Sequence, residues 1–157
     1  MKLYLARHGE AVAKHINPDS PLSENGRKEV EAMAIFMARG VVQFGQIRHS
    51  NKTRARQTAE IFAEAMGGKA NIEAMEGLNP MDNPEPALEE IMKFGEDTLV
   101  VGHLPFMGKL VDLILTGASA SGLVEFNTCT MACLQGRNQR DWALKWILNP
   151  ELFIQDL

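Results

Sequence analysis

The chain has 157 residues, 45% hydrophobic and 23% charged, which suits one ordinary globular domain over 1–157 with a core that needs no staples. Twenty acidic against sixteen basic residues give a net charge of -4, which argues against a nucleic-acid or anionic-membrane surface and makes any anion site local. Only a few apolar residues separate Lys2 from Arg7, too short for a secretory h-region or a membrane span.

Lys2 to Ala6 is an apolar run that predicts a buried strand, and it stops abruptly at Arg7-His8-Gly9. Asn17-Pro18-Asp19-Ser20-Pro21 is dense in turn formers. Ser23 is suited to cap a first helix, with Glu24 in its first turn and Val30, Met33, Ala34 and Met37 as its core stripe. Arg39 and Gly40 end it.

Gln46 to His49 predicts a short second strand. Ser50 is expected to cap the next helix, Asn51 to about Met66, with Ala55, Thr58, Ala59, Phe62 and Met66 inward. Asn71 to Met75 gives a third strand. Asn83-Pro84 opens another helix, with Leu88, Ile91 and Met92 on its apolar face and Gly95 at its end.

Thr98 to Gly102 carries no charge and is the clearest strand; it runs into His103-Leu104-Pro105. Pro105 opens a helix whose apolar face is Met107, Leu110, Val111 and Ile114, stopping at Gly117. Gly122 to Asn127, Thr130 to Gln135 and Trp142 to Leu148 read as strands, with Gly136-Arg137-Asn138 as a hairpin turn. Trp142, Leu144, Trp146 and Leu148 alternate as if on one face. Cys129 and Cys133 would lie ~13 Å apart along one strand, too far for a disulfide, and read as reduced core residues of a cytoplasmic protein. Strand–helix alternation with a strand-rich end predicts an α/β fold: a mixed sheet with helices on both faces.

Three stretches carry chemistry. Arg7-His8-Gly9 follows a strand end, where open α/β sheets build sites. Arginine offers a planar fork for phosphate or carboxylate, histidine a neutral nucleophile or base, glycine close backbone approach. In Ser50 to Glu60, two arginines compete. Arg54 shares a flank with Thr58 and Ile61 and can reach past the helix start, whereas Arg56 faces Glu60 as a surface i,i+4 pair. In Val101-Gly102-His103-Leu104-Pro105, a histidine between a buried strand and a helix start is placed for an anion. Arg7, Arg54 and the two histidines together describe a phosphate pocket. His15 and His49 read as loop or surface histidines. No metal-ligand or glycine-rich phosphate-loop pattern is present.

Leu5-Ala6-Arg7-His8-Gly9-Glu10, Ser50 through Glu60 and Val101-Gly102-His103, in that order, resemble the histidine phosphatase superfamily with its phosphoglycerate-mutase-like fold. Pro21 through Gly26 and Gly102-His103-Leu104-Pro105 look most like the small SixA-type phosphohistidine phosphatases. The resemblance covers residues 1 to roughly 149. It implies a three-layer sandwich with a mostly parallel central sheet and two-step, metal-free phosphoryl transfer without a cofactor. His8 becomes phosphohistidine and water then releases phosphate. Arg7, Arg54 and a protonated His103 hold the equatorial oxygens. The far ring nitrogen of His8 needs an acceptor, and a backbone carbonyl is expected.

This chain departs from the family in having Ser50-Asn51-Lys52 where Ser-Pro-Leu is frequent. It is also short over Glu76 to Glu85, where larger members carry a proton-donating glutamate. Glu76 and Asp82 are the available carboxylates, and the residues do not choose between them. An alkoxide leaving group needs such an acid, whereas an imidazole can be protonated by solvent on its far nitrogen. A phosphohistidine-bearing protein is therefore the expected partner. The alternatives are a small phosphate ester or, without catalysis, a phospho-ligand binding module.

Overall fold

In the computed structural model, which describes residues 1–40, 42–119, 122–137 and 141–152, six strands form one sheet in the order β3-β2-β4-β1-β5-β6. Chain order is β1 (Lys2–Arg7), α1 (Glu24–Arg39), β2 (Gln46–His49), α2 (Thr53–Ala65), β3 (Asn71–Ala74), α3 (Pro84–Met92), β4 (Thr98–Gly102), α4 (Phe106–Thr116), β5 (Met131–Gly136) and β6 (Trp142–Leu148), then a 3-10 turn at Pro150–Leu152. The first four strands run parallel, β5 pairs antiparallel with β1 and β6 antiparallel with β5, which is the mixed sheet expected from the pattern.

Every inward residue of β4 is buried because helices cover both faces. One layer packs Val30, Met33 and Met37 of α1 and Ala59 and Phe62 of α2 on Tyr4, Leu99 and Cys133. The other packs Ile91 of α3 and Met107, Leu110 and Val111 of α4 on Leu3, Leu5 and Val100. The caps match the sequence: Ser23 accepts from Gly26 N–H, Asn83 from Glu85 N–H, and Gly117 closes α4 at φ 78°.

Register sets the site. Arg7 pairs with Gly102 and His49 with Val101, so β1, β2 and β4 end level. His8 N–H donates to Gly102 O at 3.1 Å and Ser50 N–H to Val101 O at 3.2 Å. His8, Ser50 and His103 thus leave the same sheet edge side by side. The start of α1 is pressed onto this edge. A Cβ at Gly26 would lie 2.1 Å from the Glu10 carbonyl oxygen, and one at Gly9 2.6 Å from a Val30 methyl.

Several expectations are corrected. Gly122 to Asn127 is not a strand. Gly122 and Leu123 N–H donate to the buried Asp112 carboxylate at 2.5 and 2.9 Å, and Phe126 O accepts from Arg7. The segment spends its backbone groups on side chains rather than on a ladder. Cys129 precedes β5 in a left-handed conformation, φ 60°; both cysteines are free and buried. The β6 alternation is not one-sided. A bulge opposite Cys133/Leu134 shifts the register, so Trp146 and Leu148 join the α1/α2 layer and Trp142 joins the α3/α4 layer. Asn138 of the expected hairpin turn lies outside the described residues.

Candidate active site

The nucleophile candidate is defined by its two ring nitrogens. His8 Nδ1 lies 2.6 Å from Gly9 O, and Nε2 lies 3.1 Å from Arg54 Nε. A carbonyl only accepts and a guanidinium N–H only donates. The proton therefore sits on Nδ1, and Nε2 carries the lone pair. The backbone acceptor expected from the sequence is Gly9 O. Burial, reinforced by the Arg54 and Arg7 charges and only partly opposed by the Gly9 bond, lowers the His8 pKa to about 4.

One hydroxyl braces both sides of this pair. Thr58 Oγ1 donates to Arg54 O at 2.8 Å and accepts from Gly9 N–H at 3.2 Å. The residue whose carbonyl orients His8 is thereby tied to the helix that carries Arg54. In the sequence Thr58 reads only as a core position. A threonine among Ala55, Ala59 and Phe62 is the signal that could have marked it, because a buried hydroxyl must find partners.

The guanidiniums converge without counter-ions. Arg7 Nη1 donates to Phe126 O at 2.9 Å, while its Nε is buried and unbonded. Neither Arg7 nor Arg54 is ion-paired among the described residues. Burial lowers the pKa of both, and Arg7 adds repulsion at Arg54. A dianion between them would relieve that repulsion and satisfy the open donors. Arg56 instead faces Glu60 at 3.9 Å on the exposed flank of α2, as its spacing predicts.

His103 is buried and its ring centroid lies 4.9 Å from that of His8. Its Nε2 bonds Ser50 Oγ, and its Nδ1 has no partner. Burial, then the nearby His8, Arg54, Lys52 and Arg7, lower its pKa to about 3. The lowered value holds for the pocket with no anion in it; the protonated His103 implied by the family resemblance concerns the pocket with phosphate bound. The expected Ser50 cap is corrected. The N-cap of α2 is Lys52, with no side-chain bond; the Ser50 hydroxyl bonds His103 and accepts from Lys52 N–H at 3.4 Å. His49, expected in a loop or on the surface, is the buried last residue of β2 and bonds Ser50 O through Nδ1 at 2.9 Å. His15 is exposed.

The two carboxylates stand apart. Glu76 is exposed just beyond β3, with Oε1 2.6 Å from Asn51 Nδ2, beside Ser50. Asp82 accepts from Asn79 N–H at 2.8 Å and closes its own turn. Among the described residues, no three His, Cys, Asp or Glu side chains are grouped to hold a metal, and no helix is long and apolar enough to cross a membrane.

The lowered histidine pKa values carry a pH prediction. Each folded value lies below the ordinary 6.5, so the unfolded chain binds more protons between about 6.5 and 4. Stability should accordingly fall as pH drops through that window. Ring nitrogen NMR should find His8 as the neutral Nδ1–H tautomer down to about pH 5. A midpoint near 6.5 would contradict the site described.

Comparison with known proteins agrees with this geometry. The phosphohistidine phosphatase SixA of Escherichia coli (strain K12) is 26% identical over 156 residues, covering 96% of this chain and 94% of the relative. The structure of the protein histidine phosphatase SixA complexed with tungstate superposes with TM-score 0.82 at 24% identity, over 98% of this chain and 100% of that one. A phosphoserine phosphatase variant from Entamoeba histolytica, in complex with phosphoserine, shares the fold at TM-score 0.73 and 15% identity, over 98% and 99% of the two chains. The family model of the histidine phosphatase superfamily (branch 1) matches residues 3–85, the span that contains Arg7, His8 and Arg54, and the chain belongs to that superfamily.

Proposed function

We propose that this chain is a metal-independent phosphatase, a single domain over 1–157, that removes phosphate from phosphohistidine in proteins through a covalent intermediate on His8. The observation that carries the reading is the His8 ring. Its Nδ1 is held by Gly9 O, and its Nε2 lone pair faces Arg54, between Arg7 and His103. In the first step, Nε2 attacks phosphorus and the bond to the substrate imidazole breaks. That imidazole takes a proton from solvent on its far nitrogen and leaves neutral. In the second step, water attacks phosphorus and His8 leaves, returning to its Nδ1–H form.

Arg54 must release Nε2 as the phosphoryl group arrives, and its fork then serves the equatorial oxygens with Arg7 and His103. The incoming dianion raises the pKa of His103, so its proton arrives with the substrate. The position of both carboxylates supports a substrate that needs no acid: Asp82 closes its own turn, and Glu76 is bonded to Asn51. The SixA relatives named above point to the same substrate class. The buried free thiols of Cys129 and Cys133 suit the reducing cytoplasm.

A second reading, hydrolysis of a small phosphate ester, is favoured by one observation. Glu76 is exposed and one bond from Asn51, the neighbour of Ser50, so it is the carboxylate best placed to serve as acid. A phosphohistidine protein assayed against phosphoserine and other esters separates the two. The expected result is a preference for phosphohistidine in kcat/KM of about a hundredfold or more, the scale that an alkoxide's need for an acid sets. Comparable turnover of phosphoserine, abolished by Glu76→Gln, would establish the ester reading instead. Tight phosphate binding with no turnover would identify a binding module.

A further inference from the structure

Two buried polar atoms of the pocket have no partner among the described residues: Arg7 Nε and His103 Nδ1. The first can only donate. The second donates or accepts according to where the His103 proton sits, and the two cases are opposite for an anion. An Nδ1–H would bond a phosphate oxygen, whereas an Nδ1 lone pair would repel it. Burial, then His8, Arg54, Lys52 and Arg7, hold the pKa of this ring low, so with no anion in the pocket it carries a single proton. The neighbour of the other nitrogen decides which atom has it.

That neighbour is Ser50. Its side chain is buried and its hydroxyl bonds His103 Nε2. Its N–H donates to Val101 O at 3.2 Å, so hydroxyl and ring leave two registered strands, β2 and β4. The other bond of the hydroxyl is the one it accepts from Lys52 N–H at 3.4 Å. A backbone N–H only donates, so Lys52 takes up a lone pair of Oγ and leaves the hydroxyl hydrogen for another partner. If Nε2–H donated as well, that hydrogen would have no acceptor among the described residues, and Nδ1 would be a buried lone pair with no donor. With Ser50 donating to Nε2, each of these groups is used. The one left open is Nδ1–H, in a pocket that already holds the unpaired guanidiniums of Arg7 and Arg54.

From this we infer that Ser50 is a positioning residue: its hydroxyl donates to His103 Nε2 and fixes the Nδ1–H tautomer, so that neutral His103 presents a donor to a phosphoryl oxygen beside His8. The inference rests on the proposed reading of the pocket as a phosphoryl site and assigns the atom of His103 that serves it. The two histidines then carry their protons on the same ring atom to opposite ends. On His8, Nδ1–H is tied to Gly9 O and Nε2 is left to attack. On His103, Nε2 is tied to Ser50 and Nδ1–H is left to bind.

The test is ring nitrogen NMR of the full chain near neutral pH, with inorganic phosphate as the probe. The expected wild-type result is a His103 protonated on Nδ1 and bare on Nε2, with phosphate moving the Nδ1–H signal downfield and leaving the proton on that nitrogen. In Ser50→Ala, His103 should become a mixture of tautomers, and the Kd for phosphate should rise about fivefold to tenfold, the scale of one lost hydrogen bond. The His8 signals should stay in place, because Gly9 O rather than Ser50 holds that ring; general damage to the fold would move both histidines. A wild-type His103 protonated on Nε2 would overturn the inference without recourse to the variant, and so would an unchanged tautomer in Ser50→Ala. The Nδ1–H tautomer in a wild type that binds no phosphate would overturn the reading of the pocket, and with it the role given to this donor.

Discussion

Replacing His8 with alanine is expected to lower kcat on phosphohistidine by roughly 10⁴-fold or more, as loss of a covalent nucleophile does elsewhere. The reason lies in what no neighbour can supply. His103 is the other imidazole in the pocket, but its Nε2 is bonded to Ser50 and its ring stands 4.9 Å away from that of His8. His49 is buried with Nδ1 on Ser50 O. Removing His8 also releases Arg54 Nε and relieves crowding between imidazole and guanidinium. Binding of inorganic phosphate should therefore survive in His8→Ala, so that the lesion falls on kcat rather than on KM. A comparable loss of phosphate affinity would mean that His8 holds the anion rather than attacks it.

Arg54→Ala carries the second largest effect, a kcat loss of about 10² to 10³-fold, or ~3–4 kcal/mol of transition-state stabilisation. Arg54 touches the reacting nitrogen itself, through Nε to His8 Nε2 at 3.1 Å, and faces Arg7 closely enough for mutual repulsion to add to burial in lowering its pKa. Two uncompensated guanidiniums hold less strain once a dianion lies between them, so both should act most strongly as phosphoryl charge spreads over the equatorial oxygens. Arg54→Lys keeps the charge and loses the fork, so it should recover only part of the activity. Arg56→Ala is the matched control. Its exposed pair with Glu60 predicts a stability change within about 0.5 kcal/mol and no kinetic change. A larger kinetic loss at Arg56 than at Arg54 would reverse the assignment drawn from helical spacing.

Much of this was legible in the residues because local rules and packing agree. The Ser23 and Asn83 caps, the uncharged β4 strand and the Val30–Met37 stripe each satisfy both propensity and burial, and they appear where the pattern puts them. The separation of Arg54 from Arg56 was readable for the same reason, since a helix face follows from spacing alone.

The misses are places where a long-range bond overrides a local preference. Ser50 has the position and chemistry of a helix cap, yet beside a long bond from Lys52 N–H its hydroxyl is bonded to His103, 53 residues away. Gly122 to Asn127 has strand-like alternation, and Val124 and Phe126 are indeed buried. Asp112 and Arg7 claim its backbone, which no local reading anticipates. The bulge in β6 sends Trp142 to the other layer because register shifts are not encoded in hydrophobicity. The lowered pKa of His103 in the empty pocket is likewise not readable from local sequence. It follows from burial, then from His8 and three cationic side chains drawn from β1 and the start of α2.

The central claim is a phosphoryl group carried on His8 Nε2, and rapid-quench labelling tests it most directly. Wild-type enzyme is mixed for milliseconds with a radiolabelled phosphohistidine protein and quenched in alkali, where an N-phosphoryl bond persists. Digestion and peptide mapping then locate the label. The expected result is label on the peptide containing His8, discharged by acid, formed faster than steady-state turnover and absent in His8→Ala. Turnover with no label on His8 at any quench time, or label on His103 instead, would contradict it.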